Sequence, residues 1–246
     1  METILLGDEP YVERADKLIV EQQYLNNASL VGEHLRYAAV YQGQWLAVAS
    51  WSPAARFVRD RDDFIGWTHE QCRRRRALIA NNARLLVLPD CHYPNLISRF
   101  MKLMLQRLSQ DWVQRWEHPI AFLETFVDPN AYRGTACKAS GWRYPGRTAG
   151  WKRDADDFYL QHNSPKQIWV RELAPEACVK LRAKELPEAW AEVEKAVPLK
   201  CNSKVAPIVS LMELFKNVNG GAKSVGMWRF EIPFAAARNS EAAMGW

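Results

Sequence analysis

Short apolar runs and one long amphipathic stretch dominate the first half of the chain. LRYAAVY and QWLAVASWS are β-prone runs on either side of Gln42-Gly43, so they predict a β-hairpin with its turn at that pair. ARLLVLP, at 83–89, is continuously apolar over the length of a strand, which is typical of a strand buried on both faces. Residues 11–28 have the spacing of an amphipathic helix that ends near Asn26.

The clearest helix follows the loop DCHYP. Apolar side chains recur at spacings of three and four between residues 97 and 112, and polar residues occupy the other face. Asn95 stands where a helix N-cap is expected. PIAFLETFVD, at 119–128, then predicts a second buried strand. Strand, long helix and strand in this order form a βαβ unit with a parallel crossover.

The remaining patterns complete a mixed α+β or α/β fold. Charged residues and helical spacing over 53–83 predict a helical insertion before the central strand. RGTACKAS predicts a short helix, and GWRYPGRTAG and QIWVREL predict two further strands. Residues 153–165 are polar and predict a loop. Pro175 and Pro187 precede two predicted helices, EACVKLRAKEL and EAWAEVEKAV.

A βαβ unit predicts where a ligand binds. Ligands of such units lie beyond the carboxyl ends of the strands, where a helix N-terminus carries partial positive charge and favours an anion. Here that position is the segment from Asp90 to Asn95, which includes His92 and contains no glycine. The pattern therefore indicates an anion site. Without a glycine, a phosphate cannot approach the backbone there as closely as it does in a glycine-rich loop.

Composition limits the possible classes of protein. The net charge of +5 and pI of about 9.0 favour an anionic partner such as DNA or an anionic cofactor, although a basic soluble protein without such a partner fits equally. The start lacks a secretory signal, and no run approaches the roughly 18 apolar residues of a membrane helix. Five widely spaced cysteines exclude a disulfide framework and zinc-binding spacings, so a cytoplasmic protein without a metal is expected.

The order of elements resembles the Gcn5-related N-acetyltransferase fold. RLLVLPDCHYPNLISRFMKLMLQRL takes the place of that family's central strand and long helix, and LETFVDPNAYRGTACKASGWRYPGRT takes the place of the next strand, short helix and strand. The resemblance implies a GNAT-like mixed sheet with a long crossover helix and a site for acetyl-CoA or another acyl donor. The family's glycine-rich Q/R-x-x-G-x-G/A loop is absent, so the identity of the donor stays open.

A more specific resemblance covers residues 24–153. LVGEHLRY, RDDFIGW, NNARLLVLP, PNLISRFM, LETFVDPNAYRGTACKASGW and GRTAG occur in one order, as in the Druantia anti-phage protein A family, whose domain also precedes DDE transposases. This resemblance implies a role in antiviral defence or in a mobile element. Residues 154–200 are expected to complete the core or to pack on it. Residues 201–246 resemble a diverged or truncated transposase-like tail.

Two residues are candidates for catalysis. Glu124 follows three apolar residues on the strand that lines the expected site, so it is a candidate general base with a pKa raised by burial; a strand-end Glu paired with an arginine is the alternative. Cys137 stands where the resembled family usually has Tyr, which in acetyltransferases often serves as a general acid. Cys137 is therefore a candidate nucleophile or thiol acid, or else a small apolar filler.

Further candidates bind the substrate or the donor. They lie beside the central strand, before the long helix, and around the short helix: Asn81, Asn82, Arg84, His92, Asn95, Gly134, Thr135 and Trp142. The commoner alternatives are a helix C-cap for the two asparagines before the strand, a solvated loop for His92 and a helix cap for Thr135.

Two basic groups are candidates for nucleic-acid binding. Arg73, Arg74, Arg75 and Arg76 are consecutive, and Trp67 nearby could stack on a base. Consecutive helical residues point around most of the circumference, so a solvated helix with ion pairs is the alternative. Arg143 and Arg147 lie close to Trp142 and are expected to border the same cleft.

Two hypotheses follow from these residues. The first is an acyl-type group transferase that acts on nucleic acid or on an amine, with Glu124 as the base. The second is a non-catalytic DNA-binding module of a transposase or defence complex, with other proteins of that system as partners. The second predicts DNA affinity that falls steeply with salt.

Overall fold

The structure is a computed structural model that describes residues 1–23, 25–153, 159–161 and 164–195. Nine strands lie within these ranges: β1 Glu2–Leu5, β2 Leu35–Tyr41, β3 Gln44–Pro53, β4 Ile79–Val87, β5 Phe122–Val127, β6 Arg143–Arg147, β7 Trp151–Arg153, β8 Tyr159–Gln161 and β9 Gln167–Glu172. The α-helices there are α1 Glu9–Gln22, α2 Arg59–Ile65, α3 His69–Arg75, α4 Leu96–Trp116, α5 Thr135–Ala139, α6 Ala177–Arg182 and α7 Glu188–Lys195, and a short 3-10 helix spans Arg76–Leu78. The tail predicted over 201–246 lies outside the described residues.

Seven strands form one mixed sheet in the order β1-β2-β3-β4-β5-β9-β6. Every neighbouring pair is antiparallel except β4 and β5, which run parallel because α4 crosses between them. The predicted fold class, a mixed sheet with a long crossover helix, is confirmed. The sheet includes β1 and β9, which lie outside residues 24–153. β7 and β8 pair antiparallel in a separate two-stranded sheet, and β8 lies within the segment 153–165, where the sequence predicts a loop.

Helices cover both faces of the sheet. On one face α4 buries Phe100, Met104 and Leu108 against inward-facing residues of β2, β3 and β4. On the other face α1 buries Ile19 in a cluster with β2, β3 and β4, and the helices around residues 59–75 and 177–195 cover β5 and β9. The apolar spacing that predicts α4 is thus the set of positions that bury the sheet.

The parallel pair β4 and β5 separates halfway along its length. The two strands pair only from Ile79 with Phe122 to Asn82 with Thr125. At that point β4 carries a bulge, since Trp51 pairs with Asn82 and Ser50 pairs with Arg84, which leaves Ala83 as an extra residue. A bulge bends its strand and increases its twist. The second half of β4 therefore follows β3, while β5 continues beside β9.

Local sequence signals account for several boundaries. Gln42 and Gly43 form the β2–β3 turn with φ of 50° and 77°, as a tight hairpin turn requires. Asn95 does precede α4, but its backbone is left-handed (φ 58°) and its side chain makes no cap hydrogen bond. A side-chain cap needs an extended backbone at that position, so the expected capping bond does not form.

The helical insertion consists of two short helices. Thr68 and Gln71 form a capping box that starts α3, with each side chain bonded to the other residue's backbone N–H. No helix within the described ranges has the length and apolar character needed to cross a membrane.

Candidate functional site

A cleft of about 550 Å³ lies where β4 and β5 separate. Side chains from both faces of the sheet line it. The end of α1 reaches it from one face through Gln22 and Gln23, and α4 and α5 reach it from the other through Met101 and Ala136. Because the gap lies between two strands, a ligand in the cleft has access to both faces of the sheet.

The inner edge of β4 is the one that faces β5 and this cleft, and beyond Asn82 it pairs with no described strand. On its outer edge, the N–H of Leu88 donates to the carbonyl of Leu46 at 2.9 Å, so residues 84, 86 and 88 direct their backbone groups toward β3. The alternation of an antiparallel ladder then directs the backbone groups of Leu85 and Val87 toward the cleft. The Leu85 carbonyl accepts from Nε2 of Gln23 at 3.4 Å, which is consistent with this assignment.

The structure brings six of the sequence-predicted site residues to this cleft: Asn81, Asn82, Arg84, Gly134, Thr135 and Cys137. Both asparagines belong to β4, not to the end of a helix. Asn82 Nδ2 donates to the Ser50 carbonyl at 3.3 Å, and the Thr125 hydroxyl donates to the Asn82 carbonyl at 3.0 Å. These bonds tie β3, β4 and β5 together at the closed end of the cleft.

Gly134 fixes where α5 begins. Its φ is +71°, and a Cβ there would lie 2.5 Å from the Trp169 ring. Glycine therefore supplies both the left-handed conformation and the space that the indole of β9 occupies. Thr135 follows as the first residue of α5 and lines the cleft.

Cys137 lies on the wall of the cleft that α5 forms. Its side chain is buried, and this burial raises the pKa of the thiol to about 11, although a backbone hydrogen bond opposes the rise. Near neutral pH the thiol is therefore protonated. A protonated thiol disfavours the role of nucleophile and leaves a proton available to a departing group.

Glu124 is fully buried on the opposite side of β5 from Thr125 and is not among the residues that line the cleft. One carboxylate oxygen accepts from Nη1 of Arg61 at 2.6 Å, and the other accepts from the N–H of Ala55 at 2.7 Å. Complete burial raises the pKa of Glu124, and the Arg61 guanidinium and the Ala55 N–H oppose that rise. In this arrangement the carboxylate joins β5 to the helical insertion.

Arg61 is equally buried, and its positive charge balances the negative charge of the Glu124 carboxylate. Burial alone would lower the pKa of its guanidinium, but the carboxylates of Glu124 and Asp62 raise it. Asp62 accepts from Nε of Arg61 at 2.9 Å and from the indole N–H of Trp67 at 2.9 Å. Trp67, a candidate for base stacking on sequence grounds, is thus a buried partner of this network.

Three predicted donor-binding residues are not lining residues of the cleft. His92 and Asn95 are exposed in the segment before α4, although Ile97 in the first turn of that helix does line it. Trp142 is buried and its ring packs on that of Trp51, with 6.5 Å between centroids.

The four consecutive arginines do not form one surface. Arg75 is buried and donates to the carboxylate of Glu194 and to the carbonyls of Leu181, Ala183 and Lys184. The other three lie around it. Arg73 pairs with Glu70 at 2.7 Å, Arg74 lies 3.6 Å from Glu194, and half-burial lowers the pKa of Arg76. The run mainly joins α3 to α6 and α7.

Arg143 and Arg147 are exposed on β6, the edge strand of the sheet. Nε of Arg147 donates to the Tyr144 hydroxyl at 3.2 Å, and its backbone N–H donates to Asp60. The structure places both side chains outside the set of residues that line the cleft.

Sequence reasoning missed several residues of the cleft, among them Gln23, Asp128, Arg133 and Lys166. Asp128 and Arg133 follow β5, so the rule that ligands lie beyond the carboxyl ends of strands would have found them. Gln23 and Lys166 come from distant segments and have no local motif. Burial lowers the pKa of Lys166, partly opposed by Asp128 and reinforced by Arg84.

The chain is similar to several solved structures, among them two acetyltransferases and a CoA-dependent acyl-homoserine lactone synthase. Aminoglycoside 6'-acetyltransferase type Ii is 12% identical with a TM-score of 0.42, over 72% of this chain and 99% of that one. Ribosomal-protein-alanine N-acetyltransferase from Brucella melitensis is 13% identical with a TM-score of 0.41, over 69% and 99%. The CoA-dependent acyl-homoserine lactone synthase MesI is 12% identical with a TM-score of 0.44, over 74% and 93%.

No match was found among curated proteins. The family described as Druantia protein DruA matches residues 13–151, which is more than half of the 246 residues. This range contains β2 to β6 and nearly all residues of the cleft. The chain therefore belongs to the Druantia protein DruA family.

Proposed function

We propose that this protein is an acyl-type group transferase that binds an extended acyl donor in the cleft between β4 and β5. The observation that carries the proposal is the inner edge of β4, which pairs with no described strand beyond Asn82. A ligand with amide groups that lies along Leu85 and Val87 would form the backbone hydrogen bonds that β5 does not make with this part of β4. An added strand does the same in peptide recognition.

The charges around the cleft support an anionic donor. Arg84, Arg133 and Lys166 line it together with one acidic residue, Asp128. Acetyl-CoA fits this description, because it combines amide groups with phosphates. Since no glycine lies between Val87 and Leu96, the basic side chains of the cleft, more than backbone N–H groups, would contact the phosphates.

The reaction we assign forms a carbon–nitrogen bond and breaks a carbon–sulfur bond. An amine attacks the carbonyl carbon of the acyl thioester, and the products are an amide and a thiol. The amine nitrogen releases one proton to solvent, the departing sulfur gains one from a donor in the cleft, and solvent returns a proton to that donor. Cys137 Sγ holds its proton near neutral pH and lies on the cleft wall, so it is our candidate to donate to that sulfur.

Glu124 enters this mechanism as a positioning residue. Its ion pair with Arg61 holds β5 and the segment around Ala55 where the cleft ends. We assign the protein to antiviral defence or to a mobile element, a context that its family supports.

Acetyl-CoA titrated into the full chain in a calorimeter tests the donor site. We expect saturable binding by the natural protein and at least a tenfold loss of affinity in Ala136→Trp, which fills the cleft from the first turn of α5. Ala139→Trp is the matched control, because Ala139 is exposed on the same helix. Absence of binding, or equal affinity in both variants, would overturn the proposal.

A nucleic acid is the second candidate partner, and the observation that favours it is the exposed pair Arg143 and Arg147 on an edge strand. The two arginines lie on opposite faces of this edge, because Arg143 pairs with Val170 and Arg147 pairs with Gln167 on β9, so a phosphate backbone would have to cross the edge to contact both. This function requires no chemistry in the cleft.

A further inference from the structure

Two exposed aromatic rings lie parallel to each other in the helical insertion. Phe57 is 62% exposed, and its ring stacks on that of His69 with 5.3 Å between the centroids and 6° between the planes. His69, the first residue of α3, is also exposed. One face of the Phe57 ring lies against His69, so the exposed area belongs to its edge and its other face. The pair presents a flat aromatic surface to solvent, whereas Trp67, the base-stacking candidate from the sequence, is buried.

Hydrogen bonds of the backbone hold Phe57 in this exposed position. On one side, the N–H of Ala55 donates to the buried Glu124 carboxylate at 2.7 Å. On the other side, the N–H of Val58 donates to the Asp62 carboxylate at 3.2 Å. Both carboxylates belong to the ion-pair network that joins α2 to β5, so turning the ring inward would break these bonds. The aromatic surface is therefore formed before any partner binds, which lowers the cost of binding.

Positive charges without carboxylate partners lie beside the stack. Arg56 is exposed, and its carbonyl accepts from Nη1 of Arg76 at 3.5 Å. Neither guanidinium forms an ion pair with a carboxylate of the described residues, unlike those of the neighbouring arginines. Burial lowers the pKa of Arg76 most, and the charges of Arg61 and Arg56 lower it further. Cys72 and Asp62 partly oppose this fall. A phosphate bound here would offset the repulsion between the like charges.

The same surface continues to the edge strand β6. Asp60, near the start of α2, accepts from the N–H of Arg147 at 2.8 Å, so α2 lies against this strand. Arg143 pairs with Val170, which is buried on the face that α2 covers, so the Arg143 side chain lies on that face. Nε of Arg59 lies 3.7 Å from the Asp60 carboxylate, but 88% of the Arg59 side chain stays exposed. The stack thus belongs to a basic region that is complementary to a polyanion.

Single-stranded nucleic acid supplies both groups that this surface fits. Each nucleotide combines an aromatic base with a phosphate, and stacking on protein aromatic rings tolerates any base. Bases inside a duplex stack on one another, so only an unpaired base offers a free face to Phe57. We infer that the Phe57–His69 stack binds an unpaired base of a single-stranded nucleic acid, with the adjoining phosphate against Arg56. This inference rests on the second candidate function, nucleic-acid binding, and names its surface and the form of nucleic acid.

Two strands with the same phosphates test the role of the base. Fluorescence anisotropy measures binding of the full chain to a labelled oligothymidylate of about 12 nucleotides and to an abasic strand of the same length. We expect the oligothymidylate to bind about tenfold more tightly, because the abasic strand has no ring to stack on Phe57. Its affinity should also fall as the salt concentration rises.

Four variants assign the effect to the stack and to the adjoining charge. Phe57→Ala should lower the affinity for oligothymidylate by about tenfold, the effect of losing one stacked base, and leave that for the abasic strand unchanged. Phe57→Trp keeps an aromatic ring and should bind as the natural protein does. Arg56→Ala should reduce the slope of log affinity against log salt by about 0.7 for each phosphate that it no longer neutralises. Tyr41→Ala is the matched control, since Tyr41 is an exposed aromatic residue at the end of β2, and it should bind both strands normally.

The outcomes separate this inference from the functions proposed above. Equal affinity for the two strands, normal binding by Phe57→Ala, or an equal loss in Tyr41→Ala would each overturn it. Competition by polyglutamate as strong as that by oligothymidylate would replace the nucleic acid with an acidic protein partner. A duplex that binds while the oligothymidylate does not would overturn the inference and leave the second candidate function standing. The calorimetric titration with acetyl-CoA tests the donor site independently of every arm.

Discussion

The carboxylate of Glu124 has two possible roles that one substitution distinguishes. Glu124→Gln removes one of the two carboxylates that balance Arg61 in a fully buried position, and Asp62 still pairs with it. Breaking a buried ion pair typically costs about 3–5 kcal/mol, so we expect the free energy of unfolding to fall by up to that amount. Denaturant unfolding of the natural protein and the variant measures it.

The double variant Arg61→Met/Glu124→Leu is the control for that measurement. It removes both charges, and apolar replacement of a buried pair is often close to neutral, so it should be more stable than Glu124→Gln. A Glu124→Gln protein that unfolds like the natural one but no longer transfers the acyl group would contradict the positioning role. That result would instead support the base that the sequence predicts.

The junction between β5 and α5 depends on one glycine. Gly134→Ala places a methyl group against the Trp169 ring in a left-handed conformation, and we expect the free energy of unfolding to fall by more than about 2 kcal/mol. Gly43→Ala is the matched control, because its φ of +77° imposes the same backbone cost while no described atom lies within 4 Å of the added Cβ.

The difference between these two variants isolates the packing against Trp169. A larger destabilisation in Gly134→Ala, together with weaker binding of acetyl-CoA, would show that the indole and the start of α5 set the width of the cleft. Equal destabilisation of the two variants, measured by denaturant unfolding, would mean that the ring moves aside and that the left-handed conformation is the only constraint.

The elements that the sequence predicts correctly are those with strong local periodicity. The β2–β3 hairpin, α4, β5 and β9 all follow patterns that a few neighbouring residues define. β4 begins at Ile79, earlier than the apolar run from residue 83, because its first half includes two asparagines whose partners come from other strands. Burial of Arg61 in the short helix α2 likewise depends on Glu124, which is 63 residues away.

The cleft is predictable only in part for the same reason. The βαβ order indicates a site beyond β4 and β5, and six predicted residues do line the cleft. Gln23 and Lys166 join them only through tertiary packing. The arginine run shows the opposite error, because four adjacent charges suggest one surface while the fold buries Arg75 among carbonyl groups of another segment.

The distribution of charge over the chain bears on its second candidate function. The net charge is +5, yet Arg61 and Arg75 are buried in ion pairs and cannot meet a phosphate backbone without unfolding. If nucleic acid binds, we expect Arg143 and Arg147 to contact phosphates. Arg143→Ala/Arg147→Ala should then weaken binding to a short DNA duplex and reduce the slope of log affinity against log salt by about 0.9 for each phosphate that the protein no longer neutralises.

Arg74→Ala provides the comparison within the arginine run, because Arg74 is its most exposed member for which the structure gives an ion pair, at 3.6 Å from Glu194. We expect this variant to keep the salt slope of the natural protein. A slope lowered by Arg74→Ala and unchanged by the β6 double variant would move the nucleic-acid surface to α3. DNA affinity independent of salt in all three proteins would exclude a phosphate-binding surface. The basic residues that line the cleft would then remain as the groups that bind an anion.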